Sequence, residues 1–145
     1  MTKIIIKRNS EWNNKARLIG IYIDGEKVGT INDGETQEYE VGNGKHEIFA
    51  KIDWCRSPKI ELNIEESELK TLKLSGFKYG TWILPTLLGI MLVYYLGKYA
   101  LNFEMNFLIW FIAIGFLYPI YYITFGKNRY LKLTDENRNV LQHRI

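Results

Sequence analysis

Two long apolar runs without a charged residue constrain this chain of 145 residues more than any other feature. The first extends from Tyr79 to Gly97 and the second from Met105 to Gly126. A membrane-spanning helix needs about 20 mainly apolar residues. A helix that is apolar on every side must also be covered on every side, and the polar-patterned residues before Gly80 need a core of their own. The sequence therefore predicts a transmembrane helical hairpin in residues 79–126, with helices at about 80–100 and 106–125 and a short outer loop.

Aromatic and basic side chains flank both runs, as expected for groups at the headgroup level of a bilayer. The side chains predicted to anchor the chain there are Tyr79, Trp82, Tyr99, Tyr121, Tyr122, Lys127 and Arg129. Lys and Arg favour cytoplasmic flanks; they precede the first run and follow the second, whereas one Lys and one Glu lie between the runs. We therefore expect a multi-pass protein with both termini in the cytoplasm. The three consecutive isoleucines near the start are too few for a secretory signal, which agrees with this topology.

The first half alternates apolar and polar residues with a period of two, which indicates strands with one buried face. Turn signals such as Asp24-Gly25 separate the alternating segments. The pattern predicts seven strands, at about 3–8, 18–23, 27–31, 36–41, 45–54, 59–64 and 69–75. Residues 1–76 are thus expected to form a small antiparallel β-sandwich, and residues 127–145 a basic cytoplasmic tail.

Residues 19–74 resemble the PEGA-type domain of bacterial surface and membrane proteins. The resemblance rests on "IYIDGEKVGTI", "GETQEYEV" and "GNGKHEIFAKI", in which the matching positions are Asp24, Gly25, Val28, Gly29, Gly44 and His46. Thr30-Ile31 replaces the usual Thr-Pro, and Asn43 replaces a turn proline. The resemblance implies a β-sandwich with a binding or structural role. Such domains are usually extracytoplasmic, whereas the charge pattern here predicts a cytoplasmic domain at the bacterial inner (plasma) membrane.

No residue pattern in the chain predicts catalysis, a cofactor or a metal site. The sequence has no Gly-rich phosphate loop, no HExxH, GxSxG or CxxC motif, and a single cysteine. His46 is expected to satisfy a turn rather than to bind a ligand. Residues 1–80 contain 13 basic and 13 acidic residues, so nucleic acid is not an expected partner, because such binding needs a basic face.

The cluster Trp54, Cys55 and Arg56, at the end of the longest predicted strand, is a candidate contact patch, because Trp and Arg are favoured interface anchors. Cys55 alone is expected to be an ordinary part-buried thiol. We expect a non-enzymatic, membrane-anchored accessory or scaffold protein whose partners are the lipid bilayer and another protein. An alternative is a bacterial membrane immunity or exclusion protein that neutralises a toxin. An enzyme acting on lipid would need a nucleophile or metal site that the sequence does not offer.

Overall fold

The computed structural model describes residues 2–136 and consists of nine strands and two helices. The strands are β1 (Thr2–Arg8), β2 (Ile19–Ile23), β3 (Glu26–Ile31), β4 (Thr36–Val41), β5 (Gly44–Ile52), β6 (Cys55–Arg56), β7 (Ile60–Ile64), β8 (Leu69–Gly76) and β9 (Leu131–Asp135). The helices are α1 (Gly80–Ala100) and α2 (Phe107–Ile123), with short 3-10 helices at Trp12–Asn14 and Lys127–Arg129. The seven strands predicted by the alternation are confirmed, with bounds that differ by at most two residues.

The strands form two sheets of mostly antiparallel strands. The first has the order β4-β1-β8-β9, and its only parallel pair among the described strands joins β1 to β8. In the second, β3, β2 and β5 are neighbours, and β5 also pairs with β6 and β7. The prediction of purely antiparallel pairing is therefore wrong at β1 and β8. The long path between these two strands, through β2 to β7, makes the parallel pairing possible.

The apolar faces of both sheets contribute to a single hydrophobic core. Alternation along β1 directs Ile4 and Ile6 inward while Lys3, Ile5 and Lys7 lie on the other face. The fully buried apolar side chains are Ile4, Ile6, Ile21, Ile31, Ile48, Ala50, Leu72, Leu74 and Leu131. Burying each of the larger ones contributes about 1.5–3 kcal/mol. The period-two pattern thus corresponds directly to core and surface.

The Asp24-Gly25 turn between β2 and β3 has the conformation that its sequence predicts. Both residues have positive φ, 52° for Asp24 and 85° for Gly25. Such angles match a turn with the right-handed twist of the strands that it connects. Glycine adopts this region without steric cost and aspartate tolerates it.

Residues 131–135 form a strand of the sheet and not part of a tail. In β9, Leu133 pairs with Leu74 and Leu131 pairs with Gly76 on β8. Leu131 and Leu133 are both buried in the core. Burial of these two apolar side chains favours pairing of the segment with the sheet over exposure to solvent. The predicted boundary of a tail at 127 is therefore wrong for β9, and residues 137–145 of that tail lie outside the described residues.

Helices α1 and α2 form an antiparallel pair, and the rest of the protein covers little of their surface. Helix α1 has 21 residues with a mean hydropathy of 1.5, and it is the one described helix that is long and apolar enough to cross a membrane. Helix α2 is apolar but shorter, with 17 residues and none buried. The two helices meet where Gly115 faces Leu87, since a Cβ at Gly115 would overlap the Leu87 side chain.

Candidate functional site

The neck, comprising residues 76–80 and 123–131, is where the helix pair joins the sheets. Strand β8 ends at Gly76 four residues before α1 begins, and β9 begins at Leu131 after α2 has ended at Ile123. Gly76 and Leu131 are paired partners on adjacent strands. The chain therefore leaves the first sheet for the helices and returns to it at the same place.

An aromatic cluster fixes the helix pair to the sheets at the neck. The Phe77 ring lies 4.7 Å from the Tyr122 ring and 5.2 Å from the Tyr130 ring, measured between centroids. Tyr118 packs beside them and its hydroxyl donates a hydrogen bond of 2.8 Å to the Lys78 carbonyl. Ring contacts of this kind add about 0.5–1.5 kcal/mol each to the burial of the rings. The cluster resists tilting of the helices relative to the domain.

A buried arginine holds the loop between β1 and β2 beneath this cluster. The Arg8 guanidinium donates to the carbonyls of Arg17 (2.7 Å), Ile31 (2.8 Å) and Asn14 (2.6 Å). Burial lowers the pKa of Arg8 from its usual value, an effect opposed by Asp33 and Glu11. Two of the three carbonyls belong to the loop and the third ends β3, so Arg8 holds the loop against the second sheet.

The same loop is tied directly to the neck. Asn14 is almost completely buried, and its side-chain oxygen accepts a hydrogen bond of 2.8 Å from the Tyr130 hydroxyl. Burial raises the pKa of Tyr130, so the phenol stays protonated and able to donate. Both carboxylate oxygens of Glu11 accept the Gly76 amide, at 2.8 and 2.7 Å. The loop thus closes one side of the neck through polar contacts.

Two side chains of the predicted contact patch, Trp54 and Arg56, form hydrogen bonds within the chain, although Trp54 remains largely exposed. The Trp54 indole N–H donates to the Ile123 carbonyl at 3.1 Å, and the Arg56 Nε donates to the Asn128 side-chain oxygen at 3.1 Å. Cys55 is buried in the core, as expected for an ordinary thiol, and burial raises its pKa. Trp54 therefore braces the end of α2, and Arg56 braces the 3-10 helix that follows it. Cys55 is buried because the turn before β6 directs it inward.

The predicted membrane anchors divide between the two ends of the helix pair. Tyr79, Trp82, Tyr121, Lys127 and Arg129 are exposed around the neck, and Tyr99 is exposed at the opposite end. Tyr122 differs from them, because it is half-buried in the aromatic cluster.

Further exposed aromatic side chains, which the sequence analysis did not predict as membrane anchors, extend both groups. At the neck they are Trp12, Trp54 and Phe125, and at the other end Phe103, Phe107 and Trp110. Trp12 lies in the 3-10 helix next to α1, a proximity that a local sequence signal does not reveal. Phe103, Phe107 and Trp110 sit beside a predicted span and could have been found by the same aromatic rule as Tyr99.

The polar residues that most resembled a site in sequence have structural partners. The His46 ring contacts the Asp24 carboxylate through Nδ1 at 2.6 Å and the Gly42 carbonyl through Nε2 at 2.9 Å. Both partners are acceptors, so both ring nitrogens must carry a proton when both bonds form. Within residues 2–136, no group of three or more His, Cys, Asp or Glu is placed to hold a metal ion.

No protein-family model, curated protein or solved structure matches the chain. The resemblance of residues 19–74 to PEGA-type domains stays a prediction.

Proposed function

We propose that this chain is a non-enzymatic, membrane-anchored accessory or scaffold protein that displays its two-sheet domain to another protein. In this proposal α1 and α2 both span the bacterial inner membrane, and the two-sheet domain and both termini face the cytoplasm. The observation that carries the proposal is the exposed apolar surface of two helices whose ends are joined to one sheet.

The helix surfaces favour lipid over water. Large apolar side chains stand exposed along both helices: Leu88, Leu92, Val93 and Leu96 on α1, and Trp110, Phe111, Ile114 and Leu117 on α2. Of the most apolar 18-residue window of α1, only 17% is buried. Exposed apolar surface of this extent is unfavourable in water, at about 25 cal/mol per Å², and contiguous patches mark interaction or membrane surfaces.

The lengths of the helices suit a bilayer. At a rise of about 1.5 Å per residue, α1 is about 31 Å long and α2 about 25 Å, against a hydrocarbon thickness of about 30 Å. The turn after Ile123 and the exposed Phe125 extend the apolar surface of α2 toward the neck. The exposed aromatic side chains at both ends then lie where a bilayer places such rings.

The pairing of β8 with β9 supports entry and exit on one side of the membrane. A folded sheet containing both flanks of the hairpin cannot have one flank on each side of a bilayer. Lys78, Lys127 and Arg129 lie at the neck and Lys132 directly follows it, whereas the opposite end of the helix pair has one basic residue, Lys98, and one acidic residue, Glu104. This asymmetry favours a cytoplasmic neck by the positive-inside rule.

The contacts at the neck support a scaffold role. The aromatic cluster and the braces from Trp54 and Arg56 couple the domain to the membrane helices. A protein bound to the sheets would therefore be held at a fixed distance from the lipid surface.

Flotation of purified full-length protein with phosphatidylcholine vesicles tests the anchor. We expect the wild type to float and to resist alkaline extraction, and the Leu88→Asp/Leu92→Asp variant to stay in the soluble or aggregated fraction, since each central charge costs about 2.5–3.5 kcal/mol of insertion. Leu18→Asp is the matched control, because Leu18 is exposed on the domain and should not affect flotation. A wild-type protein that stays monodisperse in buffer without detergent and does not float with the vesicles would refute the proposal.

The scaffold role needs its own experiment. The full-length protein, used as bait in detergent-solubilised membranes, should recover the same partner in independent preparations. Cross-linking should then place that partner on the two-sheet domain. Recovery of no reproducible partner would contradict the scaffold role while leaving the anchor intact.

A further inference from the structure

A cleft at the neck brings together three cations from different parts of the chain. Its volume is about 280 Å³, and Lys78, Arg129 and Lys132 line it together with Phe77 and Tyr122. Lys78 precedes α1, Arg129 ends the 3-10 helix after α2, and Lys132 lies on β9. The return of the chain from α2 into the sheet is what assembles these three residues.

The cations of this cleft are available to a ligand. All three side chains are exposed, and none of them forms an ion pair within residues 2–136. Lys78 lies over the Tyr79 ring at 4.8 Å from its centroid, a contact that leaves its charge uncompensated. No carboxylate lines the cleft. Glu11 lines the larger adjoining cleft, and among the described residues it forms no ion pair with Lys78 or Lys132.

The cleft is lined by both charged and apolar residues, as the binding of an amphiphile requires. The cations line it together with the apolar or aromatic residues Pro58, Phe77, Tyr122 and Leu131. Trp82 and Tyr79 line the adjoining cleft, which shares Lys78 and Lys132 with this one. If the helices span a bilayer, the exposed Tyr79 and Trp82 rings lie at headgroup level, and the cations are then at the depth of lipid phosphates.

We infer that this cleft is a binding site for the headgroup of an anionic phospholipid, a conclusion that rests on the proposed membrane anchoring. The three cations bind the negatively charged lipid phosphate. The apolar residues of the cleft contact the adjoining part of the glycerol backbone. Arg and Lys are the usual phosphate ligands, Arg through paired donors. Basic pockets beside membrane helices bind anionic headgroups by the same physics. The occupied site would join α1, the end of α2 and β9 through one ligand.

Lipid titration of the full-length protein, delipidated in neutral detergent and followed by native mass spectrometry, tests the site. The probes are phosphatidylglycerol and phosphatidylcholine of identical acyl chains. Each cation is expected to contribute about a fivefold change in Kd for the anionic lipid. The Lys78→Gln/Arg129→Gln/Lys132→Gln variant should therefore bind phosphatidylglycerol roughly a hundredfold more weakly and lose its preference over phosphatidylcholine.

Two further variants separate the site from net charge and from misfolding. Lys27→Gln/Lys45→Gln/Lys73→Gln removes the same charge from exposed lysines on β3, β5 and β8 and should change the Kd less than twofold. The charge-conserving variant Lys78→Arg/Arg129→Lys/Lys132→Arg should retain the preference. Equal loss in the two glutamine variants, or loss in the charge-conserving variant, would overturn the site.

The outcome is distinguishable from failure of the anchor. A wild type that floats with phosphatidylcholine vesicles but binds the two lipids equally would overturn the headgroup site and leave the proposed function standing. A wild type that does not float would contradict the proposed function itself.

Discussion

Strand β9 provides the sharpest prediction, because it makes the segment after the helices a part of the domain before them. We consider two chains without the helix pair. One ends at residue 76. In the other, the loop Gly-Asn-Gly replaces residues 78–129. This loop keeps Phe77 and Tyr130, whose rings lie 5.2 Å apart. Three residues can close the connection because Gly76 and Leu131 are paired on adjacent strands. We expect only the spliced chain to fold.

The size of the difference follows from two buried side chains. Leu131 is fully buried and Leu133 is 7% exposed, and burying each leucine contributes about 1.5–3 kcal/mol. The chain that ends at residue 76 therefore loses about 3–6 kcal/mol from these two leucines, to which the loss of the buried Phe77 and Tyr130 and of the β8–β9 hydrogen bonds adds. A small domain has about 5–15 kcal/mol of stability in total. The truncated chain should thus be largely unfolded or aggregated.

Urea unfolding, followed by the fluorescence of Trp12 and Trp54, measures this difference. Within the spliced chain, Leu131→Ala should cost about 2–5 kcal/mol, whereas Lys132→Ala, an exposed neighbour on the same strand, should cost little. Identical unfolding midpoints for the truncated and spliced chains would refute the reasoning. So would equal costs for the two substitutions in β9.

Three more predictions concern single contacts. Gly115→Leu should weaken α1–α2 packing, because a Cβ there overlaps Leu87. Gly89→Leu should be tolerated, because a Cβ at Gly89 has nothing within 4 Å. The thermal stability of the two variants in detergent, or the yield of a disulfide engineered between the helices, measures the difference. The pKa of His46 is raised, first by its hydrogen bond to Asp24, and the pKa of Asp24 is lowered, first by His46. The pair should therefore stabilise the spliced chain fully at a pH between the ordinary pKa of aspartate, 3.8, and the ordinary pKa of histidine, 6.5. The stabilisation should decrease as the pH rises through the raised His46 pKa or falls through the lowered Asp24 pKa. His46→Gln should abolish the upper pH dependence in urea titrations, and an unchanged pH profile would contradict the assignment. Trp54→Phe should lower the thermal stability of the full-length protein by loosening the domain from the end of α2, about 1 kcal/mol for one hydrogen bond, and a variant as stable as the wild type would show that the brace contributes nothing.

Much of the fold was predictable because burial on one face of a strand leaves a period of two in the sequence. Ile48, Ala50 and Ile52 on β5 are buried as their spacing predicts. The same signal is present in "LKLTD", where Leu131 and Leu133 alternate with Lys132 and Thr134. It was missed because this short segment follows an apolar run and has no partner nearby in sequence.

The parts that sequence did not reveal are contacts between distant segments. The parallel pairing of β1 with β8 joins residues more than sixty positions apart. The hydrogen bonds from Trp54 to the end of α2 and from Arg56 to the 3-10 helix after it span 69 and 72 positions. A Trp and an Arg at the end of a strand carry no local mark of whether they meet another protein or the same chain. The neck cleft likewise exists only once β9 has brought Lys132 beside Lys78 and Arg129.

The most direct test of the central claim is the sidedness of the loop and the domain in intact cells. Since Cys55 is buried, single-cysteine reporters are placed in a Cys55→Ala background: Glu104→Cys in the loop between the helices, and Lys45→Cys on the exposed start of β5. A membrane-impermeant maleimide should label the Glu104→Cys protein from outside and reach the Lys45→Cys protein only after the membrane is permeabilised. Labelling of the Lys45→Cys protein in intact cells, or protection of the Glu104→Cys protein, would contradict a hairpin that spans the bilayer with its domain in the cytoplasm.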